Sequence, residues 1–352
     1  MLPLSAIITL LCSGKYSLIG LSLSKKLLIS LLFVLMFLNL LFFKLGELSI
    51  VLPFLVYPAA LLLASVLVLD REFILGMANL ICFIFLIDCF FNVYTLLTLS
   101  DLFGRPVDFR INQGDIFPRL GGIYASSFVS TGISMSAFLA SLVNKNRLIT
   151  FLVICFMIVT GSLRSPVLLL VALCGVIVSY FIKGRFKIFF LAVMCGLCVF
   201  AGIFLLSDIT SNATRIGALT FGATEIFASP IFGNSGYTPF DYKTGVTLEK
   251  LIDSGNAEQQ LMNIGIHFGV PLLLIFMILI YSLIPKINNK LSYSSNSNDL
   301  FVKRVCIFII IVDLMVTHLF SFFPFTVFSL IIMLRLGVSK EKYKSNQPTL
   351  YL

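Results

Sequence analysis

Long apolar runs separated by short polar clusters extend over most of the chain. A segment that crosses the hydrocarbon core of a bilayer needs roughly 20 apolar residues, and about eleven stretches approach that length. The predicted spans lie near residues 2–22, 27–43, 48–69, 73–98, 121–143, 148–163, 165–182, 187–206, 263–284, 302–318 and 320–336. The pattern predicts an all-α, polytopic integral membrane protein of about 10–12 transmembrane helices with one long loop.

Composition and charge agree with this pattern. Hydrophobic residues make up 59% of the 352 positions and charged residues only 12%, which is too little polar material to cover a soluble core. The net charge of +9 comes from Lys/Arg clusters that fall in every second connection and in the tail. The positive-inside rule makes those connections and the C-terminus cytoplasmic, so the charge predicts no nucleic-acid partner.

The remaining connections face the opposite, outer side. They are the loop 99–120, the turn at 161–165 and the segment 207–262, which is the longest hydrophilic stretch of the chain. The predicted organisation is therefore an N-terminal helix bundle (1–206), a long outer loop (207–262) and C-terminal helices with a cytoplasmic tail (263–352). Against the usual charge bias, the outer side carries Arg105, Arg110, Arg119, Arg164 and Arg215.

The outer arginines are the strongest indication of chemistry. The sequence contains no P-loop, dinucleotide fingerprint, HExxH or GxSxG motif. A guanidinium group is a planar fork suited to phosphate and stays charged at any relevant pH. Arg119, Arg164 and Arg215 therefore predict an anionic ligand, such as a lipid-linked diphosphate, while snorkelling beside a nearby Asp is favoured for Arg105 and Arg110.

Few other side chains suggest a site. Cys195-x-x-Cys198 lies within a span without His or carboxylate neighbours, so no metal site is predicted. His267 fits a helix interface, whereas both a structural role and a cavity-facing role fit His318, near the outer end of its span. Six carboxylates outside the membrane are candidates for a general base: Asp115, Glu225, Asp241, Glu249, Asp253 and Glu258.

Several motifs together resemble the O-antigen polymerase and O-antigen ligase superfamily. They are "FPRLGGIYAS" before one span, "TGSLRSPVLLL" at a span boundary, and, in and after the long loop, "NATRIGALTFGATEIFASPIFGNSGY" and "GNAEQQLMNIGIHFGVPLLL". The resemblance covers most of residues 100–285. Leu163 interrupts the Ser-Arg-Ser element of the family, and Glu258-Gln259 stand where ligases usually carry His-Asn, which favours a polymerase.

The resemblance implies an enzyme of the bacterial inner membrane. It would join oligosaccharide repeat units carried on undecaprenyl diphosphate at the periplasmic face, without metal or other cofactor. Arg119, Arg164 and Arg215 would bind the diphosphates, and Glu258, or second Asp241, would act on the acceptor hydroxyl. Expected partners are the lipid-linked oligosaccharide, membrane lipid, a chain-length regulator and a flippase.

Two alternatives remain open. An O-antigen ligase would differ only in its acceptor. A transporter or flippase of lipid-linked oligosaccharide would need polar residues deep in its spans. Asp88, Asn92 and Asp313 are such residues and are compatible with this alternative. The absence of a convincing internal repeat and the long outer loop count against a carrier.

Overall fold

A computed structural model describes the residues that form the helical framework. The described residues are 23–43, 71–100, 103–104, 120, 122–124, 127–159, 164–182, 184–205, 222–233, 260–283, 297–316 and 323–336. Within these ranges the chain consists of helices and turns without an extended β-strand. The all-α prediction is confirmed for this part of the chain.

The main helices correspond to nine of the eleven predicted apolar runs, and the predicted runs 2–22 and 48–69 lie outside the described residues. The helices are α1 (Leu23–Phe43), α2 (Arg71–Thr98), α3 (Ser127–Val143), α4 (Arg147–Val159), α5 (Arg164–Ser179), α6 (Arg185–Leu205), α7 (Gln260–Leu283), α8 (Ser297–Val316) and α9 (Phe323–Arg335). The predicted span 121–143 differs, because a 3-10 turn at Gly122–Tyr124 precedes α3. Residues 222–228 form a further short helix, called the loop helix below.

Two helices are long and apolar enough to cross a membrane. One is α2, with 28 residues, and the other is the stretch Ile264–Ser282 within α7. Large apolar side chains remain exposed along α2, including Phe83, Phe90 and Leu97. A row of this kind is unfavourable in water, whereas hydrocarbon covers it without cost.

One end of the bundle gathers basic residues and is called the basic end. Arg71, the first residue of α2, lies 3.5 Å from the carboxylate of Asp299 at the start of α8. The neighbouring Asn298 side chain donates a hydrogen bond to the backbone oxygen of Leu142, near the end of α3. The α3–α4 turn, with Lys145 and Arg147, therefore lies at the same end.

The opposite end of the bundle is called the loop end, and α5 and α7 both begin there. Arg304, two turns into α8, donates to the hydroxyl of Ser179 at the last residue of α5. A helix of 16 residues spans about 24 Å, so α5 begins at the far end of the bundle. Tyr281, near the end of α7, packs edge-on against Phe189 of α6, and α7 thus also begins at the loop end.

The core forms around α8. Nearly every side chain of α8 from Val302 to Asp313 is buried, and α8 packs against α3, α5, α6, α7 and α9. The apolar side chains of α3 and α9 complete this core. The helices that carry the loop-end segments are thereby fixed to one central element.

Candidate functional site

A buried polar cluster joins α2 to α3. Asp88 and Asn92 lie one turn apart on α2, and both are fully buried together with Ser130 of α3. The Ser130 hydroxyl donates to Asp88 Oδ2 at 2.6 Å, and the Asn92 amide donates to the same oxygen at 3.0 Å. Both carboxylate oxygens thus accept hydrogen bonds, as a buried polar group requires.

The same carboxylate holds the turn before α3. The backbone N–H of Ile123 donates to Asp88 Oδ1 at 3.1 Å. Gly122 has φ +56, and a Cβ at this position would lie 2.7 Å from Cγ of Asp88 and 2.9 Å from Nδ2 of Asn92. Only glycine fits such a close approach in this backbone conformation.

This contact draws the chain back into the bundle. Asp88 precedes the end of α2 by ten residues, or about 15 Å along the helix. The chain leaves α2 at Thr98 and has returned to the depth of Asp88 by Gly122. Arg119 is three residues before Gly122 in the sequence, outside the described residues, and the described turn that follows it is held at this depth.

A second loop segment enters a break in α7. The helix is interrupted at Gly269 (φ 81, ψ 172), and Pro271 follows two residues later. The N–H of Val270 has left the helical pattern and donates instead to the backbone oxygen of Pro230 at 2.8 Å. The long loop thus supplies the acceptor that the broken helix lacks, as a buried amide requires.

The turn 229–233 that makes this contact is itself tightly closed. The Ser229 hydroxyl donates to the Gly233 oxygen at 2.8 Å, and the Gly233 N–H donates to the Ser229 oxygen at 3.0 Å. Asn39 of α1 donates to the backbone oxygen of Phe232 at 3.1 Å. The loop helix continues this docking, since Ile226 lies against Gly265 of α7.

Substitution of Gly233 by alanine is expected to release this turn. Gly233 has φ +73, and a Cβ there would lie 2.6 Å from the backbone oxygen of Ile266 and 2.5 Å from that of His267. The left-handed backbone alone costs about 1–2 kcal/mol for an alanine, and backbone atoms cannot move aside as a flexible side chain can. Thermal unfolding of the detergent-purified protein measures the loss.

Gly76→Ala is the matched control for this substitution. Gly76 lies in α2, and a Cβ there meets nothing within 4 Å. Alanine in an open helical position is expected to leave the stability unchanged or to raise it by about 0.5–1 kcal/mol. Equal unfolding temperatures for the two variants would contradict the close packing of the turn against α7.

Most predicted site residues lie outside the described residues. These are Arg119, Arg215, Asp241, Glu258 and His318. Arg164 is described by its backbone as the first residue of α5, where the amides of the first turn have no partner within the helix. Their neighbours are described: α7 begins at Gln260, two residues after Glu258, and the loop helix follows Arg215 by seven residues.

The sequence interpretation noticed Asp88 and Asn92 but not their partners. Their spacing of four places them on a shared helix face, and as polar residues within a span they are compatible with the carrier alternative. Ser130, Gly122 and Ile123 were not predicted. The signals were a run of hydroxyl residues in α3 and a Gly-Gly pair before it, neither of which identifies the partner helix.

His267 and Asp313 are also buried. His267 lies in the first part of α7, where its backbone oxygen is next to Gly233. Among the residues that the structure describes, no three His, Cys, Asp or Glu side chains form a group that could hold a metal ion.

These features define the class of protein. The described residues form an all-helical bundle with two helices able to cross a membrane, and two loop segments fold back into one end of that bundle. No protein family model, curated protein or solved structure matches this chain.

Proposed function

We propose that this protein is a polytopic enzyme of the bacterial inner membrane that polymerises surface polysaccharide. It would join undecaprenyl-diphosphate-linked oligosaccharide repeat units at the periplasmic face, as an O-antigen polymerase does. The sequence resemblance gives the reaction class, and the helical bundle with its apolar surface supports a membrane location.

One observation carries the proposal most directly. Three segments associated with the predicted arginines meet the loop end of the bundle. The turn after Arg119 is bonded to Asp88, Arg164 begins α5, and the loop segment after Arg215 is inserted at the break in α7. If the three side chains point to this end, they would suit a diphosphate carried on a lipid.

The start of α5 adds to the chemistry at this end. The free amides of a helix N-terminus and the helix dipole both favour an anion. With Arg164 as the first residue of α5, a diphosphate near this terminus would meet both a guanidinium group and backbone N–H donors. Charge that develops on the leaving diphosphate would be stabilised there.

The proposed reaction is a glycosyl transfer. A hydroxyl of the incoming unit attacks the anomeric carbon of the growing chain, a new glycosidic bond forms, and the bond from that carbon to the lipid diphosphate breaks. The hydroxyl proton passes to a carboxylate, first Glu258 and second Asp241, and the diphosphate leaves with its negative charge. Cleavage of the sugar–diphosphate bond drives the step without a nucleotide.

The buried polar cluster argues against the carrier alternative. Asp88 and Asn92 are bonded to each other, to Ser130 and to a backbone amide. The Asp88 carboxylate and the Asn92 amide N–H groups therefore have partners within the protein, although Asn92 Oδ1 has none. A transport site in a span would offer more of its polar groups to a ligand or a water-filled cavity. The ligase alternative differs only in the acceptor, so the polysaccharide product has to distinguish it.

Deletion of the gene in its host tests the proposal. A polymerase deletion is expected to remove the polysaccharide ladder on a gel while a single repeat unit remains attached to lipid A core. Complementation with the wild-type gene should restore the ladder. Loss of every attached sugar would instead identify a ligase or a flippase, and an unchanged ladder would exclude all three.

A further inference from the structure

A cavity of about 410 Å³ opens at the basic end of the bundle, away from the loop end. It lies between α3, α4 and the start of α8. Its polar side is formed by Lys145, Arg147, Thr150 and Asn298, and Phe151 and Ile154 line its apolar side. A pocket with a charged rim and an apolar wall suits an amphiphile.

The backbone of the α3–α4 turn fixes the two cations at this cavity. The N–H of Lys145 donates to the Leu142 oxygen, and the N–H of Asn146 donates to the Ser141 oxygen, the pair of bonds that closes a Schellman turn. Lys145 has φ 57, at a position where glycine is usual. The Asn146 side chain caps α4 through the N–H of Ile149 at 3.1 Å.

The positive charge at the cavity has no acidic counterpart in its lining. Among the described residues that line it, none is Asp or Glu. The nearest acidic position in the sequence is Asp299, beside Asn298, and Arg71 already contacts its carboxylate at 3.5 Å. Two cations next to an empty volume favour an anionic group.

The apolar side of the cavity continues onto the outer surface of α4. Leu148, Phe151 and Leu152 are all exposed there, Phe151 by 63%. A ligand with an acyl chain can therefore place its charged group between Lys145 and Arg147 and lay its chain along α4. A free phosphate would use only the first half of this surface.

We propose that this cavity binds the headgroup of an anionic phospholipid. The phosphate would lie between Lys145 and Arg147, and one acyl chain would follow Phe151 and Ile154. By the positive-inside rule, this end of the bundle lies at the cytoplasmic leaflet. Basic pockets between helices bind the anionic lipids of that leaflet. This inference does not depend on the proposed polymerase activity.

Lipid titration of the purified protein tests the site. The unfolding temperature in detergent is followed against phosphatidylglycerol, against phosphatidylcholine with the same acyl chains, and against inorganic phosphate. We expect saturable stabilisation by phosphatidylglycerol alone. Equal stabilisation by phosphatidylcholine, or stabilisation by inorganic phosphate at lower concentration than by the lipid, would overturn the proposal.

The double variant Lys145→Gly, Arg147→Gln removes both positive charges without lowering the stability of the fold. Glycine relieves the left-handed backbone at position 145, so the lipid-free variant is expected to be at least as stable as the wild type. At roughly fivefold in affinity for each basic residue, phosphatidylglycerol should bind roughly 25-fold more weakly to the variant. Unchanged affinity would overturn the site.

The matched control removes two charges elsewhere on a predicted cytoplasmic segment. Lys25→Gln, Lys26→Gln changes α1, whose main packing partner is α7. This control should bind phosphatidylglycerol within about twofold of the wild type, because it leaves the cavity untouched. Equal weakening in both double variants would mean that the lipid responds to net charge alone and would overturn a specific cavity.

Discussion

Replacing Arg164 with alanine is expected to abolish the polysaccharide ladder while the amount of protein in the membrane stays unchanged. Arg164 is the first residue of α5, at the loop end, and it would act with the first-turn amides on the diphosphate. Loss of one donor to developing charge costs roughly 10²–10³ in rate. Gel analysis of a complemented deletion strain, with immunoblotting of the membrane fraction, measures both quantities.

Three further variants extend this experiment. Arg164→Lys keeps the charge but loses the planar fork, so partial ladder formation is expected. Arg185→Ala is the matched control, because Arg185 is also the first residue of a helix, α6, but lies at the basic end. Arg215→Ala should behave as Arg164→Ala does. A normal ladder from Arg164→Ala would remove this residue from the site.

Asp88→Asn is expected to destabilise the protein by roughly 1–3 kcal/mol, because a buried acceptor with several donors is lost. The new NH2 group would face donors in either orientation: the Ser130 hydroxyl and the Asn92 amide at the Oδ2 position, or the Ile123 N–H at the Oδ1 position. The hydrogen bond from the Ile123 N–H, which holds the turn after Arg119 to position 88, would also weaken. Thermal unfolding measures the stability, and the ladder should shorten or disappear.

Glu72→Gln controls for the loss of a carboxylate from the same helix. Glu72 is exposed in the first turn of α2, and its substitution is expected to change the stability by less than about 0.5 kcal/mol. A double-mutant cycle with Ser130→Ala adds a direct test of the contact. Asp88 and Ser130 should show a coupling of about 0.5–3 kcal/mol, and strictly additive effects would show that the 2.6 Å bond is not formed.

The helical framework could be read from the sequence because apolar run length determines where a helix can cross a bilayer. The predicted span 73–98 corresponds to α2 and the span 187–206 to α6, with ends within two residues. The break in α7 could not be located by hydropathy, since Gly269 and Pro271 interrupt the backbone without lowering the apolar content. The same reason explains why the turn at Gly122 was missed.

Less of the candidate site than of the helical framework could be predicted from the sequence. Asp88 and Asn92 could be assigned to one helix face from their spacing, but the identity of Ser130 and Ile123 as partners depends on how α3 packs against α2. Tertiary packing of this kind leaves no periodic pattern in a single sequence. The predicted roles of Arg119, Arg215, Asp241, Glu258 and His318 remain predictions.

The bond from Asn39 to Phe232 also affects the order of assembly. The two residues are 193 positions apart, and ribosomes add about 5–20 residues per second. The carboxamide of Asn39 must therefore wait about 10–40 s in an apolar environment before its acceptor is synthesised. During that interval α1 depends on lipid, on earlier helices or on the insertion machinery to shield a polar group, so insertion of the first helices is the stage most sensitive to slowed translation.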